Sequence, residues 1–317
     1  MEAIKQVHLI AFNKNETSKV HTIKAPPFEL KITPPREQEN LLPVAFHEWR
    51  CADESVWCSF HRIDNSYLLR FPDNADFRIN PKSIEIQCFP VPGTTNATIN
   101  QLYLNQVLPL VQSLTGESVF HAGAIVVNDL AIAFVGVSGR GKSTLTASFS
   151  SNFHEFLTDD GLQIMPTENG YRAFPSHPSI RLWEDSQAAI LGPTVEAEEP
   201  LEYTDKLRFP AGSQMPHRAV PCPLHRMYFL GDASVLQIKF SKLSPQEAMV
   251  ELIKHSFILD VENREIMAKH FDAISKLCTQ GIFYRLDYPR SYDQLANLRQ
   301  SILEHAGLAN KKSASSA

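Results

Sequence analysis

The sequence lacks long hydrophobic runs and any strong excess of one charge. No stretch of ~18 or more apolar residues occurs in the chain, so no helix that crosses a bilayer is predicted. The net charge is only −5 at pH 7, which provides no basic field for nucleic acid or an anionic membrane surface. We therefore expect neither nucleic acid nor a membrane among the partners.

Cysteine is also scarce, and its spacing excludes the usual cysteine frameworks. The chain has 5 cysteines, an odd number, and no pair has C-x-x-C spacing. This pattern fits reduced thiols better than a disulfide scaffold. The first residues, M-E-A-I-K, lack the charged and then apolar layout of a signal peptide. We therefore expect a cytoplasmic protein.

The sequence does contain one strong motif, at residues 136–143. These residues read G-V-S-G-R-G-K-S and have the form G-x-x-x-x-G-K-[ST] of the P-loop, which binds nucleotide phosphates. An apolar, strand-like segment precedes the motif at residues 130–135, and residues 144–149 can continue as a helix. Because the motif requires this strand–loop–helix context, we predict a site for a nucleoside triphosphate, with ATP as the expected donor and Mg²⁺ as its ion.

Each part of the motif has an expected role. Glycines can adopt positive φ and leave no Cβ in the way, so backbone N–H groups can converge on phosphate oxygens. The Lys142 ammonium is expected on the outer phosphates, and the Ser143 hydroxyl on Mg²⁺. The residues predicted to bind the nucleotide are Gly136, Ser138, Gly139, Arg140, Gly141, Lys142, Ser143 and Thr144.

Two adjacent carboxylates, Asp159 and Asp160, follow a short apolar segment soon after the motif. One can hold Mg²⁺ while the other accepts a proton from an incoming hydroxyl. Successive side chains on a strand point in opposite directions, so both can face the phosphates only if the strand ends there. Gly161 supports such an end, and the alternative is a solvated turn. His121 lies on the strand before the P-loop strand, either as a packed core residue or as part of the site.

Three cations later in the chain are candidates to neutralise a transferring phosphoryl group or to bind an acceptor. They are Arg181, Lys206 and Arg208. The alternative for each of them, taken singly, is an ordinary charged residue on the protein surface. An acidic segment rich in Glu, residues 196–202, lies between the first of these cations and the other two.

The chain divides by pattern into four parts. Residues 1–98 show short runs of aromatic and β-branched residues, including 7–12, which indicate a β-rich module. Residues 99–243 contain a helix with Pro109 inside it, where we expect a kink, and then the P-loop core. Residues 244–308 read as an αβα part that packs on the core. Residues 309–317 form a polar tail, which we expect to be disordered.

His121-Ala122-Gly123, the P-loop and Asp159-Asp160 occur in an order that resembles the catalytic domain of bacterial HPr kinase/phosphorylases. The resemblance covers about residues 118–165. It implies an HPr-kinase/PEP-carboxykinase-like α/β (α+β) nucleotide domain, with the β-rich module before it and helices after it. It also implies that Lys142 binds phosphates, that Ser143 and Asp160 hold Mg²⁺, with Asp160 the main base or metal-linked carboxylate, and that His121 lies close to the Asp pair.

The whole chain is similar, more specifically, to the HPr-kinase-related proteins encoded beside lasso-peptide biosynthesis genes. The matching parts are residues 105–109, 120–122, 181–183 and 286–290. This similarity implies a serine kinase that uses ATP and Mg²⁺ on a peptide or small protein, with a lasso-type precursor peptide as the expected acceptor. The alternatives are an HPr(Ser) kinase, a kinase for a small-molecule hydroxyl, and a nucleotide-binding regulator with little turnover. The sequence leaves open ATP against another donor, the choice of base within the Asp pair, and whether the chain forms a homo-oligomer.

Overall fold

A computed structural model describes residues 21–25, 28–40, 43–51, 53–83, 85–192, 195–198, 201 and 203–309. Contacts divide the chain into two compact units. The first unit comprises the described residues up to Leu114 and those of Leu201–Thr204, and the second comprises the described remainder. The pattern of the sequence predicts this boundary after residue 98. Among the described residues, no helix combines the length and apolar character that a bilayer crossing requires.

One sheet organises the described part of the first unit, in the order β1-β2-β7-β6-β5-β4-β3. Its strands are β1 (His21–Ala25), β2 (Phe28–Ile32), β3 (His47–Arg50), β4 (Val56–Ile63), β5 (Ser66–Phe71), β6 (Ala75–Asn80) and β7 (Glu85–Pro90). In β7 every second residue is buried, as expected of a strand with one face on a core. The predicted β-rich module is thus a sheet, whereas the strand predicted at residues 7–12 lies outside the described residues.

The helical end of the first unit contains an irregularity near Pro109. Helix α1 (Asn96–Leu102) continues through a π-helical turn (Tyr103–Val107) into helix α2 (Leu108–Leu114). The backbone N–H of Leu108 bonds to the carbonyl of Tyr103. Proline has no N–H to continue the regular pattern, and a π-helical turn is one way for a helix to absorb this defect. At the place of the predicted kink, the helix therefore has a π-helical turn just before the proline.

The second unit combines strands and helices around a mixed sheet, so the predicted α/β class is correct. Its strands are β8 (Ser118–Val127), β9 (Leu130–Val135), β10 (Glu155–Thr158), β11 (Gly161–Thr167), β12 (Gly170–Phe174), β13 (Ser179–Leu182), β14 (Leu207–Pro210), β15 (Cys222–Leu230), β16 (Lys239–Lys242) and β17 (Phe283–Asp287). Its helices are α3 (Lys142–Ser150), α4 (Glu184–Ile190), α5 (Pro245–Lys254), α6 (Arg264–Cys278) and α7 (Leu295–Ala306), the last preceded by a 3₁₀ turn at Tyr292–Gln294.

The two long strands β8 and β15 connect the sheet of the second unit. One path of paired strands runs β10-β8-β9-β15-β17-β16, and another joins β8 to β15 through β11 and β12. Strands β9, β15 and β17 are parallel neighbours, so their carboxyl ends meet at one edge of the sheet. That edge carries Gly136, Gly231 and Tyr288, the residues that directly follow the three strands. In open α/β sheets, ligands bind outside the carboxyl ends of parallel strands.

Several helix ends have the structure that their local sequence predicts. Ser244 and Glu247 form a reciprocal capping box at the start of α5, with the Ser244 N–H donating to Glu247 Oε2 over 2.8 Å. Gly307 follows α7 with φ of 72°, the left-handed conformation that glycine tolerates. Of the tail predicted to be disordered, residues 309–317, only Ala309 is among the described residues.

Candidate active site

The P-loop motif forms a loop between β9 and α3. Gly139 and Gly141 have positive φ values of 78° and 92°, as their lack of a Cβ allows. Gly136 does not share this conformation, and a Cβ there would lie 3.3 Å from that of Arg140. Gly141 precedes the first residue of α3. The N-terminal N–H groups of that helix therefore face the same loop.

Lys142 is buried, with 5% of its surface exposed. Its Nζ donates to the carbonyl of Gly136 over 2.7 Å and to that of Val137 over 3.3 Å. Burial lowers the pKa of Lys142 to about 8, although the nearby carboxylates of Asp160 and Asp159 favour the charged form. The ammonium thus lies over the start of the loop, where phosphate oxygens could replace the two carbonyls as acceptors.

Strand β10 ends at Thr158, directly before the two adjacent carboxylates, and both are buried. Asp160 Oδ1 lies 2.7 Å from Nε2 of His121, and Asp160 Oδ2 forms an ion pair with Arg181. Burial on its own would raise the pKa of Asp160, but the charges of Arg181 and His121 outweigh it and hold the pKa well below its usual range. Asp160 is therefore an ionised carboxylate. Its Oδ2 has a cationic partner in Arg181, and its Oδ1 has one in His121 when the imidazole is protonated.

The neighbouring carboxylate, Asp159, has the opposite electrostatic environment. Burial and the charge of Asp160 raise its pKa, and Arg181 and Ser143 only partly counteract them. Its Oδ2 accepts a hydrogen bond of 2.9 Å from the backbone N–H of Arg181. Its Oδ1 is buried and accepts no hydrogen bond within the described part of the chain. A buried carboxylate oxygen without a partner is costly, so this oxygen is available as a ligand for a cation.

The residues around Asp159 Oδ1 fit a magnesium ion. Ser143 lies close enough for its hydroxyl to lower the pKa of Asp159. Mg²⁺ is usually held by one or two carboxylates, with waters and substrate phosphates as its other ligands. The described residues include no group of three or more His, Cys, Asp or Glu that could hold a metal alone. A site completed by phosphates therefore agrees with the local chemistry.

His121 lies in the same cluster of side chains as Asp160. It lies on β8 opposite Gly161 of β11, and this register places it beside Asp160. Its backbone N–H donates to the carbonyl of His255 over 2.7 Å. Burial, with the nearby charges of His121 and Lys142, lowers the pKa of His255 to about 4. His255 is therefore neutral near pH 7 and adds no charge beside His121.

The three candidate cations have different surroundings. Arg181, on β13, pairs with Asp160. The Nζ of Lys206 lies 5.4 Å from the centre of the Trp183 ring. Burial and the charge of Arg181 lower the pKa of Lys206, and the charges of Asp159 and Asp160 only partly counteract this. Arg208 instead forms an ion pair with Glu198. The structure therefore brings Arg181 and Lys206 to the Asp pair and gives Arg208 a separate partner.

Sequence reasoning missed the residues that support the loop from the end of β17. The Tyr288 hydroxyl donates to the carbonyl of Arg140 over 3.2 Å. The Arg140 side chain donates to the carbonyl of Gly231, which follows β15, over 3.1 Å. The αβα pattern predicted for residues 244–308 includes one strand, but nothing in that pattern shows that the strand is parallel to β15 and so ends beside the loop.

A cavity of about 760 Å³ lies beside the loop, and no motif in the sequence indicates it. Its wall comes from the loop, from α5 and from the ends of β15 and β17. The charged and titratable groups on this wall include Arg140, Asp232, Glu251, Lys254, His255, Arg285 and Asp287. These positions come from four separate segments of the chain that share no motif, so only the fold brings them together.

Comparisons with known proteins provide little further information. No family profile matches the chain, and no curated protein matches it. Among solved structures, the HPr(Ser) kinase/phosphatase from Coxiella burnetii is similar over 59% of this chain and 97% of that chain, with 12% identity and a TM-score of 0.30. A similarity at this level assigns no role to any residue of this chain.

Proposed function

We propose that the protein is a kinase that transfers the γ-phosphoryl group of ATP to a serine hydroxyl of a peptide or small protein. The observation that carries this proposal is the convergence of the P-loop motif with a buried Asp pair. Three charged groups, Asp159, Asp160 and Arg181, lie close enough to Lys142 to shift its pKa. Arg181 also shifts the pKa of each carboxyl group of the Asp pair. A phosphate-binding loop, a carboxylate with an unpaired oxygen and a buried cation are the parts that phosphoryl transfer requires.

The donor would bind along the loop. Backbone N–H groups of the loop and of the first turn of α3 face the phosphates, and Lys142 exchanges its bonds to the two loop carbonyls for phosphate oxygens. Ser143 and Asp159 Oδ1 would hold Mg²⁺, which neutralises charge on the phosphates when it is bound. We prefer Asp159 to Asp160 as the metal-linked carboxylate because both oxygens of Asp160 already have partners in His121 and Arg181.

In the transfer, the acceptor oxygen forms a bond to the γ-phosphorus while the bond from that phosphorus to the bridging oxygen of ADP breaks. The acceptor proton passes to the Asp160–His121 pair. A carboxylate with so low a pKa is a weak base, so Asp160 would act mainly by orienting the acceptor hydroxyl. This role suits a loose transition state, because such a transition state needs little early proton transfer. Arg181 and Lys206 would stabilise the charge on the transferring group.

The acceptor that we propose is a ribosomally made precursor peptide of the lasso type. This proposal rests on the sequence alone, in which residues 105–109, 120–122, 181–183 and 286–290 resemble the kinases of those clusters. In the first unit, β1 and β3 end the sheet of the described residues. A peptide can add as a strand at such an edge. This unit would then hold part of the peptide.

Intact-mass analysis tests the proposal directly. The purified protein is incubated with Mg²⁺ and ATP and with either a lasso-type precursor peptide or HPr. We expect a gain of about 80 Da, one phosphoryl group, on the precursor peptide, none in the presence of a chelator, and none after serine in the peptide is replaced by alanine. A gain on HPr alone would reassign the protein as an HPr kinase.

Absence of any gain, with ATP binding retained, would support the alternatives. A small-molecule kinase would still convert ATP to ADP when the right hydroxyl compound is supplied, and peptides would not compete. A nucleotide-binding regulator would keep its biological function in Asp160→Asn and lose it in Lys142→Ala. A kinase should lose activity in both variants, because proton acceptance and phosphate binding are separate requirements.

A further inference from the structure

Hydrogen bonds connect the segment at residues 288–292 to two positions of the P-loop region. Its first residue, Tyr288, donates to the carbonyl of Arg140, in the middle of the loop. The hydroxyl oxygen of its last residue, Tyr292, lies 2.9 Å from Oγ of Ser186. The same Oγ lies 3.2 Å from Oγ1 of Thr144. The segment therefore runs from the middle of the loop to the first turn of α3.

The position of Lys142 shows in which direction a nucleotide would lie along this path. Its ammonium is bonded to the carbonyls of Gly136 and Val137, and in a P-loop this lysine contacts the outer phosphates. The outer phosphates therefore belong at the start of the loop. The inner phosphate and the nucleoside then extend toward the first turn of α3, where Thr144 lies.

Tyr292 lies at this nucleoside end with its ring accessible. The residue is 39% exposed, yet its hydroxyl is held, since it donates to Asp185 Oδ2 over 2.8 Å in addition to its contact with Ser186. A ring that is fixed at its polar end and open to solvent can stack on a nucleobase without a large loss of conformational freedom.

A second exposed aromatic residue, Trp183, provides a contrast. It is 45% exposed and directly precedes α4. The Nζ of Lys206 lies 5.4 Å from the centre of its ring, and Lys206 is close enough to Asp159 and Asp160 for them to shift its pKa. Trp183 is therefore associated with the side of the site where the phosphoryl group is transferred.

We infer that Tyr292 forms the stacking wall for the purine base of the phosphoryl donor. This inference rests on the proposed function, because it assumes a nucleoside triphosphate in the P-loop. It adds the part of the donor site that the motif does not specify. Tyr292 would contribute to the affinity only by binding the base, so it should contribute nothing to the affinity for a ligand that has phosphates but no base.

The test compares ATP with inorganic tripolyphosphate, both with Mg²⁺, by calorimetric titration of the full-length protein and three variants. We expect Tyr292→Ala to weaken ATP binding by about 5- to 100-fold and to leave tripolyphosphate binding within about twofold, since stacking on one aromatic ring has this effect per base. Tyr292→Phe, which keeps the ring, should retain ATP affinity within about threefold. Trp183→Ala should leave the ratio of the two affinities unchanged.

Equal weakening of both ligands by Tyr292→Ala would show that the tyrosine only supports the loop, and the inference would then be wrong. It would be equally wrong if the alanine variant bound ATP normally, or if Trp183→Ala caused the selective loss instead. A failure of the proposed function appears differently: the unmodified protein would bind ATP and show no phosphoryl transfer, or would bind neither ligand.

Discussion

Nε2 of His121 lies 2.7 Å from Oδ1 of Asp160, and this contact joins two parts of the chain that a strand register brings together. His121 on β8 is opposite Gly161, which directly follows the carboxylate. Arg181 occupies the other oxygen of Asp160. The carboxylate is therefore at the centre of a buried charge cluster, and its removal should affect stability and chemistry together.

Asp160→Asn should destabilise the protein and strongly lower turnover. The substitution leaves the Arg181 guanidinium buried without its charged partner, and breaking a buried ion pair in this way costs about 3–5 kcal/mol. Loss of the carboxylate that orients the acceptor hydroxyl, and that shares its proton with His121, should lower kcat by about 10²- to 10⁴-fold. Chemical denaturation and the mass assay measure the two effects. An unfolding free energy equal to that of the unmodified protein would contradict the charge cluster described here.

Asp159→Asn should abolish turnover, but it should raise the thermal midpoint of unfolding. Burial and the neighbouring Asp160 raise the pKa of Asp159, so its ionised form is disfavoured in the folded state and a neutral amide relieves the repulsion. We also expect this variant to lose the Mg²⁺ dependence of nucleotide affinity. Calorimetry in the presence and absence of the ion measures this loss. A lower midpoint of unfolding would show that the carboxylate is stabilising as it stands.

The affinity for nucleotide should fall as the pH rises above about 8. The pKa of Lys142 in the free protein is about 8, and phosphate oxygens raise it on binding, because they favour the charged form. Below that pH the ammonium is already present. Above it, binding must take up a proton, so affinity declines by up to about tenfold per pH unit.

The control for this pH dependence is Lys142→Met, which removes the titrating group. Titrations of Mg²⁺ and ATP from about pH 7.5 to about pH 9.5 should show a slope in the unmodified protein, since the range spans the lysine's shifted pKa. The variant should bind more weakly at each pH, with no slope. Parallel slopes in both proteins would assign the titration to another group.

Gly141→Ala should impair nucleotide binding through two separable effects. The residue has φ of 92°, and a Cβ there would lie 2.8 Å from the Tyr288 hydroxyl. The positive φ alone costs about 1–2 kcal/mol for a residue with a Cβ. Tyr288→Phe removes the atom that the new Cβ would approach but leaves the φ strain. The double variant should therefore recover part of the stability that the single alanine variant loses.

A double-mutant cycle on unfolding free energies measures this coupling. Gly192→Ala serves as a matched control, since Gly192 also has positive φ, 71°, but a Cβ there would meet no atom within 4 Å. It should show the cost of the backbone strain and no change in nucleotide affinity. Strict additivity of Gly141→Ala and Tyr288→Phe would show that the tyrosine does not confine the loop.

Arg181→Gln and Arg208→Gln should differ although the two arginines face each other across β13 and β14. Arg181 pairs with Asp160, whereas Arg208 pairs with Glu198. Loss of one charge-stabilising donor in a transition state typically lowers kcat by about 10²- to 10³-fold, and we expect this loss only for Arg181→Gln. Steady-state kinetics with the precursor peptide provide the measurement. A comparable loss of kcat in both variants would indicate that Arg208 also acts on the reacting group.

The sequence predicts well those features that depend on neighbouring residues. The capping box at Ser244 and the loop at residues 136–143 are of this kind, since turn chemistry and helix capping act over a few positions. Strand β15 was missed because its first half, with Pro223, His225 and Arg226, has no alternating pattern. Its place in the sheet comes from β9 and β17 on either side, and such non-local pairing overrides local propensity.

By its sequence alone, the chain specifies a phosphate-binding loop with its lysine and serine, together with two adjacent carboxylates, because these groups are close along the backbone. Only the tertiary structure decided which other residues join them. The register of β8 against β11 brings His121 to Asp160. The antiparallel pairing of β13 with β14 brings Arg181 to Asp160, whereas Arg208 pairs with Glu198. The parallel end of β17 brings Tyr288 and Tyr292 to the loop. Strand pairing determines these contacts, and the energy of pairing is distributed over many residues that no short motif records.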